Sequence, residues 1–352
     1  LVDGVGDQAW FNGPSGLAID VTGTVWLADR YTHAIRSIDA SGKVTTIAGN
    51  GIAGYNDDFG VKARFNQPSD VAVTKLGMVY VADTYNHRIR RVEPDGTVHT
   101  VTGLGAGFAD GDSAKAKFSY PVGLDFGADG MLFVADYGNH RIRRVGPDGD
   151  VITVAGSGAV GGLDGTAANA QFSYPWGIVA DNAGRLFVTE RSGHRLRMIS
   201  GGLVQRIVGV SYGYVDGDAS VARLYYPTAL AASPSGTLFS ADDGTGYIRR
   251  VRMTADACHI GGVCVTAGLR NATAPCSSCQ SKVAPKAWTP VAAGAACNDG
   301  SACTVNDSCK QGSCVGGTLK LCNDNNKCTL DTCNGDIGAC EFKPTFDPNC
   351  KP

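Results

Sequence analysis

The chain has 352 residues, of which 43% are hydrophobic and 18% are charged. This length exceeds that of a typical single domain, and the composition can bury a sizeable core, so a large domain with an appendage is expected. The formal charge is −2 and the pI is near 6.3. The chain therefore lacks the net positive charge with which proteins bind nucleic acids or anionic membranes.

One phrase, close to Phe-x-x-Pro-x-Gly, recurs five times in the first three quarters of the chain. Its first position falls at Phe11, Phe65, Phe118, Phe172 and Leu224, in steps of 54, 53, 54 and 52 residues. A period of this size predicts an array of identical supersecondary units. Residues that recur in every unit are therefore expected to hold the units together.

A single unit reads as four short strands separated by turns. In the second unit these strands are predicted at residues 70–74, 78–82, 88–92 and 97–102, with turn glycines at Gly77 and Gly96. The second strand of each unit is apolar on both faces, as is typical of a sheet packed between two neighbours. Four antiparallel strands repeated radially form the blades of a β-propeller. The predicted fold class is all-β: a five-repeat propeller over residues 1–269, followed by a small, loop-rich tail.

Two nine-residue segments carry a family resemblance. Residues 81–89 and 134–142 both read Val-Ala-Asp, two variable residues, then Asn-His-Arg-Ile, and they resemble the signature of NHL-repeat propellers. The resemblance extends over five units and fades in the fifth, where residues 242–248 lack the asparagine and histidine. Most members of that family close with six blades. Either this ring closes with five, or a sixth blade lies upstream of Leu1.

Three ionisable residues recur in the units at fixed offsets. The acids are Asp29, Asp83, Asp136, Glu190 and Asp242, the histidines are His33, His87, His140 and His194, and the arginines are Arg36, Arg90, Arg143, Arg197 and Arg249. Such a ring could bind a metal or a charged partner. We interpret it as structural, each acid accepting turn amide hydrogens or pairing with the arginine, because a catalyst needs one asymmetric site rather than five copies.

The resemblance also implies a possible enzyme. Relatives of NHL propellers include metal-dependent amidating lyases and lactonases, whose histidine or carboxylate ligands line the central channel. The predicted inner strands here contain no histidine, and Asp20 and Asp181 share a register without companions. We therefore predict that the protein is not an enzyme. A channel-metal lyase or lactonase ranks third among the functions considered, after a structural subunit and a binding module.

Calcium is an alternative reading of several acidic loops. The propeller loops 56–58, 110–112 and 216–218 place oxygen ligands close together, as do Asp299, Asp307, Asp324 and Asp331 in the tail. None of these fits an EF-hand, and surface turns use the same residue types. No cofactor is assigned on this basis.

Cysteine usage divides the chain, because all 13 cysteines lie in its last hundred residues. They are Cys258, Cys264, Cys276, Cys279, Cys297, Cys303, Cys309, Cys314, Cys322, Cys328, Cys333, Cys340 and Cys350. Zinc sites favour close CxxC pairs with further ligands, whereas only Cys276 and Cys279 have that spacing here. The pattern favours disulfides and an extracellular protein, with one cysteine left over.

The tail is predicted to consist of a linker at 270–296 and two disulfide-rich repeats at 297–352. A local Cys258–Cys264 disulfide would staple the last propeller hairpin, unless either cysteine pairs into the tail. Asn271 and Asn306 lie in glycosylation sequons. The repeats resemble the short cysteine-rich units of extracellular matrix and coat proteins. The whole layout is similar to that of surface-filament glycoproteins such as those of mastigonemes.

These patterns together favour a secreted structural or adhesive subunit of an extracellular matrix, coat or surface filament. Its expected partners are other protein chains, through self-assembly or with other glycoproteins, and it would carry attached glycans. No stretch approaches 18 consecutive apolar residues, so no membrane span is predicted. The alternative is a monomeric binding module, secreted or part of an ectodomain, that recognises a peptide or glycan.

Overall fold

Strands of β-branched and aromatic residues, separated by tight turns, build five sheets within the unit Leu1–Met253. The computed structural model describes residues 1–209, 211–233 and 235–252, and beyond them only the backbone of short paired strands. In the second sheet, Gly77 and Gly96 occupy turns at φ values of 78° and 92°, which residues with a Cβ rarely adopt. The chain divides into two units, Leu1–Met253 and Thr254–Pro352.

The five sheets are named blades 1 to 5 in chain order, and each is antiparallel with consecutive strands as neighbours. Blade 1 contains Pro14–Ile19, Val25–Asp29, Ala34–Ile38 and Lys43–Ala48; blade 2 contains Asp70–Val73, Val79–Asp83, Arg88–Val92 and Val98–Thr102. Blade 3 contains Pro121–Phe126, Leu132–Asp136, Arg141–Val145 and Val151–Ala155; blade 4 contains Pro175–Ala180, Leu186–Glu190, Arg195–Ser200 and Leu203–Val208. Blade 5 contains Pro227–Ala232, Thr237–Asp242 and Tyr247–Arg252.

Short elements complete these blades at their edges and turns. Gly4–Val5 pairs with the outer strand of blade 1, and Gly165–Thr166 pairs with that of blade 4. Three-residue 3-10 turns lie at Gly6–Gln8, Arg30–Thr32, Gly60–Lys62, Thr84–Asn86 and Tyr137–Asn139. Three of these turns follow the second strand of a blade and end at one of the repeated histidines. None of the helical segments among the described residues is long enough to cross a membrane.

The hydrophobic core is divided into four clusters, one between each pair of consecutive blades. Between blades 1 and 2, for example, Ile35 packs with Phe65 and Val81, and between blades 2 and 3, Ile89 packs with Phe118. Two further clusters join blades 3 and 4 and blades 4 and 5. Blades 2 to 4 thus bury both faces against their neighbours and blades 1 and 5 bury one face each, and this arrangement confirms the predicted all-β propeller of five blades.

The outward faces of blades 1 and 5 differ from the faces inside the array. Ile248 of blade 5 is 70% exposed, whereas the matching Ile142 of blade 3 is fully buried. Leu17 of blade 1 is 62% exposed, whereas the matching Leu124 of blade 3 is 5% exposed. Among the described residues, no core cluster joins blade 5 to blade 1.

The second unit shows five short pairs of backbone strands. They are Ala257–Ile260 with Val263–Thr266, Ser277–Cys279 with Trp288–Pro290, Thr304–Val305 with Thr318–Leu319, Ser308–Lys310 with Ser313–Val315, and Thr329–Cys333 with Cys340–Pro344. The predicted boundaries at 269 and 296, the Cys258–Cys264 disulfide, the other cysteine pairings and the sequons at Asn271 and Asn306 lie outside the described residues. They stay predictions.

The two matched isoleucines provide a test of the uncovered face. Replacing Ile142 with Ala should reduce the free energy of unfolding by about 2–5 kcal/mol, because it leaves a cavity in a packed core. Ile248→Ala should cost less than about 1 kcal/mol, because that side chain already meets solvent. Urea unfolding of the two variants of the full chain measures both values, and equal losses would show that the blade 5 face is covered in solution.

Candidate functional site

The repeated acid and arginine of each blade form a buried ion pair. Arg36 Nη1 donates to Asp29 Oδ2 at 3.0 Å, and Arg90 Nη1 donates to Asp83 Oδ2 at 2.8 Å. In blades 1 to 4 both side chains of the pair are fully buried, and in blade 5 the pair is nearly so. The other pairs are Asp136 with Arg143, Glu190 with Arg197, and Asp242 with Arg249.

Each buried acid also accepts a backbone hydrogen bond from the segment that enters its blade. The amide of Asn66 donates to Asp83 Oδ1 at 2.8 Å, and the equivalent amides donate to the other four acids. Burial raises the pKa of Asp83 to about 6, although Arg90 opposes the shift. The sequence offered turn amides or arginine as the partner of each acid, and in the structure each acid accepts from the arginine and from an amide of the entering segment.

A second, outer aspartate also pairs with each arginine. Arg143 Nη2 lies 2.6 Å from Asp110 Oδ1 and also donates to the Ala109 carbonyl at 2.7 Å. Its guanidinium carbon lies 5.1 Å from the centre of the Phe118 ring, a distance at which cation and ring attract each other. The outer aspartates of the five blades are Asp3, Asp57, Asp110, Asp164 and Asp216.

These contacts bear on the acidic loops that resemble calcium sites. Three of the outer aspartates, Asp57, Asp110 and Asp216, belong to those loops, and each already accepts from a buried arginine. Nearby Asp112 pairs with Lys115 at 2.8 Å. Within residues 1–252 as described, no three histidine, cysteine or acidic side chains converge as a set of metal ligands.

The repeated histidines join each blade to the next one. The backbone amide of Tyr120 donates to His87 Nδ1 at 3.0 Å across the interface between blades 2 and 3. Both residues have left-handed backbones, with φ of 56° at His87 and 51° at Tyr120. The same bond links Gln67 to His33, Tyr174 to His140, and Tyr226 to His194. At the repeat position of the histidine blade 5 has Gly246, and at the repeat position of its amide partner blade 1 has Gly13.

Two further acids link the first strands of neighbouring blades. Asp70 accepts from the amide of Leu124 at 2.9 Å, and Asp125 accepts from that of Ala180 at 2.8 Å. Burial raises the pKa of Asp70 to about 7 and that of Asp125 to about 6. Sequence reasoning missed both residues, because they occupy different positions of the repeat and only the packing of the blades reveals their partners.

One group of side chains is not repeated, and we call Arg30, Tyr137, Trp176 and Arg191 the mouth cluster. The guanidinium carbons of Arg30 and Arg191 lie 6.0 Å and 5.4 Å from the centre of the Trp176 ring. The Tyr137 ring meets Trp176 edge-on at 5.5 Å. These residues come from blades 1, 3 and 4, and blades that are not neighbours can meet only at the propeller axis.

The mouth cluster occupies a variable position of an otherwise regular frame. The residue after each repeated acid is Arg30, Thr84, Tyr137, Arg191 or Asp243. Burial raises the pKa of Tyr137, as expected for a phenol partly enclosed by its neighbours. A search for positions that vary within the repeat would have found three members of the cluster from the sequence, although not that they converge. The chemistry available here is cationic and aromatic.

The buried ion pairs predict an unequal cost for two adjacent arginines. Arg90→Ala should reduce the free energy of unfolding by about 3–5 kcal/mol, because it leaves Asp83 buried without its cation. Arg91→Ala should cost less than about 1 kcal/mol, because Arg91 and its partner Glu93 are both partly exposed. Chemical denaturation of both variants compares them, and similar losses would contradict a structural role for the buried pair.

The histidine links predict a loss of stability in acid. Burial lowers the pKa of all four histidines from the ordinary value of 6.5. Below pH 6.5 the folded state therefore binds fewer protons than the unfolded state, and the contribution of these residues to the free energy of unfolding is lost as the pH falls. His87→Asn should make this pH dependence shallower, because asparagine tolerates the left-handed backbone and does not titrate.

The matched control for this experiment is His99→Asn, since His99 is exposed and makes no link between blades. Urea unfolding at pH 7.5, 6.5 and 5.5 gives the slope for each variant. If His87→Asn and His99→Asn change the slope equally, the link between blades is not the source of the pH dependence.

Comparison with known proteins identifies NHL repeats in this chain. The sequence-family model of the NHL repeat matches residues 11–36, 65–92, 118–145 and 172–197, which lie in blades 1 to 4. Protein SUPPRESSOR OF QUENCHING 1, chloroplastic, of Arabidopsis thaliana is 28% identical over 272 residues, which are 71% of this chain and 26% of that protein. Human NHL repeat-containing protein 2 is 28% identical over 234 residues, 56% of this chain and 32% of that protein.

A third relative carries the name of an enzyme. The probable peptidyl-alpha-hydroxyglycine alpha-amidating lyase of Caenorhabditis elegans is 32% identical over 133 residues, 37% of this chain and 36% of that protein. The chain thus spans between about a quarter and a third of the length of the first two relatives. Residues 1–252, as described, form a five-blade β-propeller, and the NHL repeat is matched in blades 1 to 4.

Proposed function

We propose that this protein is a non-catalytic scaffold that binds a partner at the mouth of its propeller and serves as a structural or adhesive subunit of an extracellular assembly. The observation that carries the proposal is a difference between two groups of charged residues: those that hold the blades together and those of the mouth cluster. The repeated acids, arginines and histidines are engaged in contacts within and between blades. The mouth cluster is asymmetric, partly exposed and outside that network.

A rigid frame suits this role. Each buried arginine contacts two carboxylates and two backbone carbonyls, so that the loops around the mouth are fixed before a partner arrives. A preorganised surface loses little conformational entropy on binding. Several aromatic side chains remain exposed on the propeller, among them Trp10, Tyr31 and Tyr212, and aromatic residues are enriched at protein interfaces.

The extracellular setting of the proposal rests on the sequence of the tail. Thirteen cysteines between Cys258 and Cys350 fit an oxidising compartment, where disulfides persist. An odd number leaves one thiol for a covalent link to another chain. The layout of the sequence is similar to that of surface-filament glycoproteins, and in such a filament a covalent link of this kind would join neighbouring chains.

Electron microscopy of the natively isolated protein, before and after mild reduction, tests the proposal. We expect regular fibres or sheets under non-reducing conditions that loosen when reductant breaks the links between chains. Isolated particles of propeller size under both conditions would overturn the assembly role. In that case the protein would be the alternative, a monomeric binding module for a peptide or glycan.

One observation favours a second candidate function, namely the similarity to the amidating lyase. Metal analysis of the protein purified without chelator separates the two. A stoichiometric transition metal together with lyase activity would favour the enzyme. Protein that contains no such metal and has no lyase activity would favour the scaffold. Such a metal would have to draw ligands from beyond the residues that the structure describes.

A further inference from the structure

The two arginines of the mouth cluster lack the charge balance of the other buried arginines. Each repeated arginine lies within salt-bridge distance of two carboxylates, as Arg143 does with Asp136 and Asp110. Among the described residues, Arg30 has no carboxylate within that distance and its side chain makes no hydrogen bond. In the part of the chain that the structure describes, the only carboxylate within that distance of Arg191 is that of Asp243, at 3.1 Å, and the Asp243 side chain is 56% exposed. The cluster therefore carries an excess of positive charge.

The aromatic members of the cluster also have unused polar groups. Within the described part of the chain, the hydroxyl of Tyr137 and the indole N–H of Trp176 have no hydrogen-bond partner. The hydroxyls of the neighbouring Tyr31 and Tyr226 are likewise without one, and these rings lie within 5.6 Å and 4.9 Å of the guanidinium carbons of Arg30 and Arg191. These side chains are exposed or partly exposed, so their polar groups face solvent and are available to a ligand.

The ligand that fits must carry an anion, several hydroxyls and a flat apolar surface. A carboxylate would meet the planar guanidinium groups, which bind carboxylates through paired hydrogen bonds. Ring hydroxyls would meet the tyrosine hydroxyls and the indole N–H. The C–H face of a sugar ring would lie against the aromatic rings, since aromatic side chains combine an apolar surface with a polar edge.

We propose that the mouth cluster is a binding site for a uronic acid residue of an acidic polysaccharide. Arg30 and Arg191 bind the sugar carboxylate, Trp176 and Tyr137 form the aromatic wall, and the tyrosine hydroxyls bind the ring hydroxyls. A peptide with a free carboxyl terminus offers the anion without the ring hydroxyls, and a sulfated sugar offers a tetrahedral anion in place of the planar one. The proposal rests on the mouth being the binding surface of the proposed function.

Isothermal titration of the full chain with a galacturonic acid trimer tests the assignment. The trimer should bind, a neutral cellulose trimer should not, and binding should weaken as salt screens the charges. Arg30→Gln and Arg191→Gln should each weaken binding by about tenfold or more, because each removes charge-assisted hydrogen bonds. Tyr137→Phe, which removes one hydroxyl and keeps the ring, should weaken it less.

Arg185→Gln is the matched control, because Arg185 lies in the same blade and pairs with Asp181 away from the mouth. It should bind the trimer as the parent chain does. No binding of the trimer, or equal binding by Arg30→Gln and the parent, would overturn the site. Preferential binding of a sulfated disaccharide or of a tripeptide with a free carboxyl terminus would overturn the uronate assignment.

Thermal melting of each variant shows whether it is folded, and a variant that melts early would be replaced by Arg30→Lys, which keeps the charge and loses the planar fork. The two proposals fail separately. If fibres form but the trimer does not bind, the assembly role stands and the uronate site is wrong. If the trimer binds but only isolated particles form, the uronate site stands and the assembly role is wrong.

Discussion

The burial of five arginines, each between two carboxylates, is the constraint on which the rest of the propeller depends. A guanidinium removed from water must satisfy its donors inside the protein. Here the inner acid belongs to the same blade, while the outer aspartate and two carbonyls belong to the segment entering that blade, as Arg36 shows with Asp29, Asp3 and Val2. One side chain thus fixes the long connection between blades, which would otherwise be the least ordered part of each repeat.

A second layer of contacts converts single blades into an array. Each of the four repeated histidines accepts from an amide of the following blade, as His33 does from Gln67 at 3.0 Å. The apolar clusters join the same pairs of blades as these links. Because both depend on the same spacing of repeats, a change that moves one blade would disturb polar and apolar contacts together. The frame can therefore hold side chains near the axis in fixed positions without using its repeated residues for recognition.

Much of this frame was readable from periodicity, and the mouth was not. The third strand of blade 2 was predicted at residues 88–92 and lies at Arg88–Val92, because its apolar pattern and flanking turns are local features. Three of the outer aspartates, Asp57, Asp110 and Asp216, lie in loops that the sequence offered as an alternative for calcium, since adjacent acids show no partner until the connection folds over the arginine. Arg30 and Trp176 meet only because the blades curve around a common axis, a property of the angle between blades that no local pattern records.

Among the described residues, the outward faces of blades 1 and 5 pack against no neighbouring blade. Within this part of the chain blades 2 to 4 are each held by two apolar interfaces, and blades 1 and 5, at the two ends of the described array, by one, so that cooperativity runs along it as in a linear chain of coupled units. Local opening requires the least free energy at those ends. Amide exchange and proteolysis should then begin in blades 1 and 5, while blades 2 to 4 persist as a folded remnant. Under a pull on the chain, such a propeller would lengthen one blade at a time.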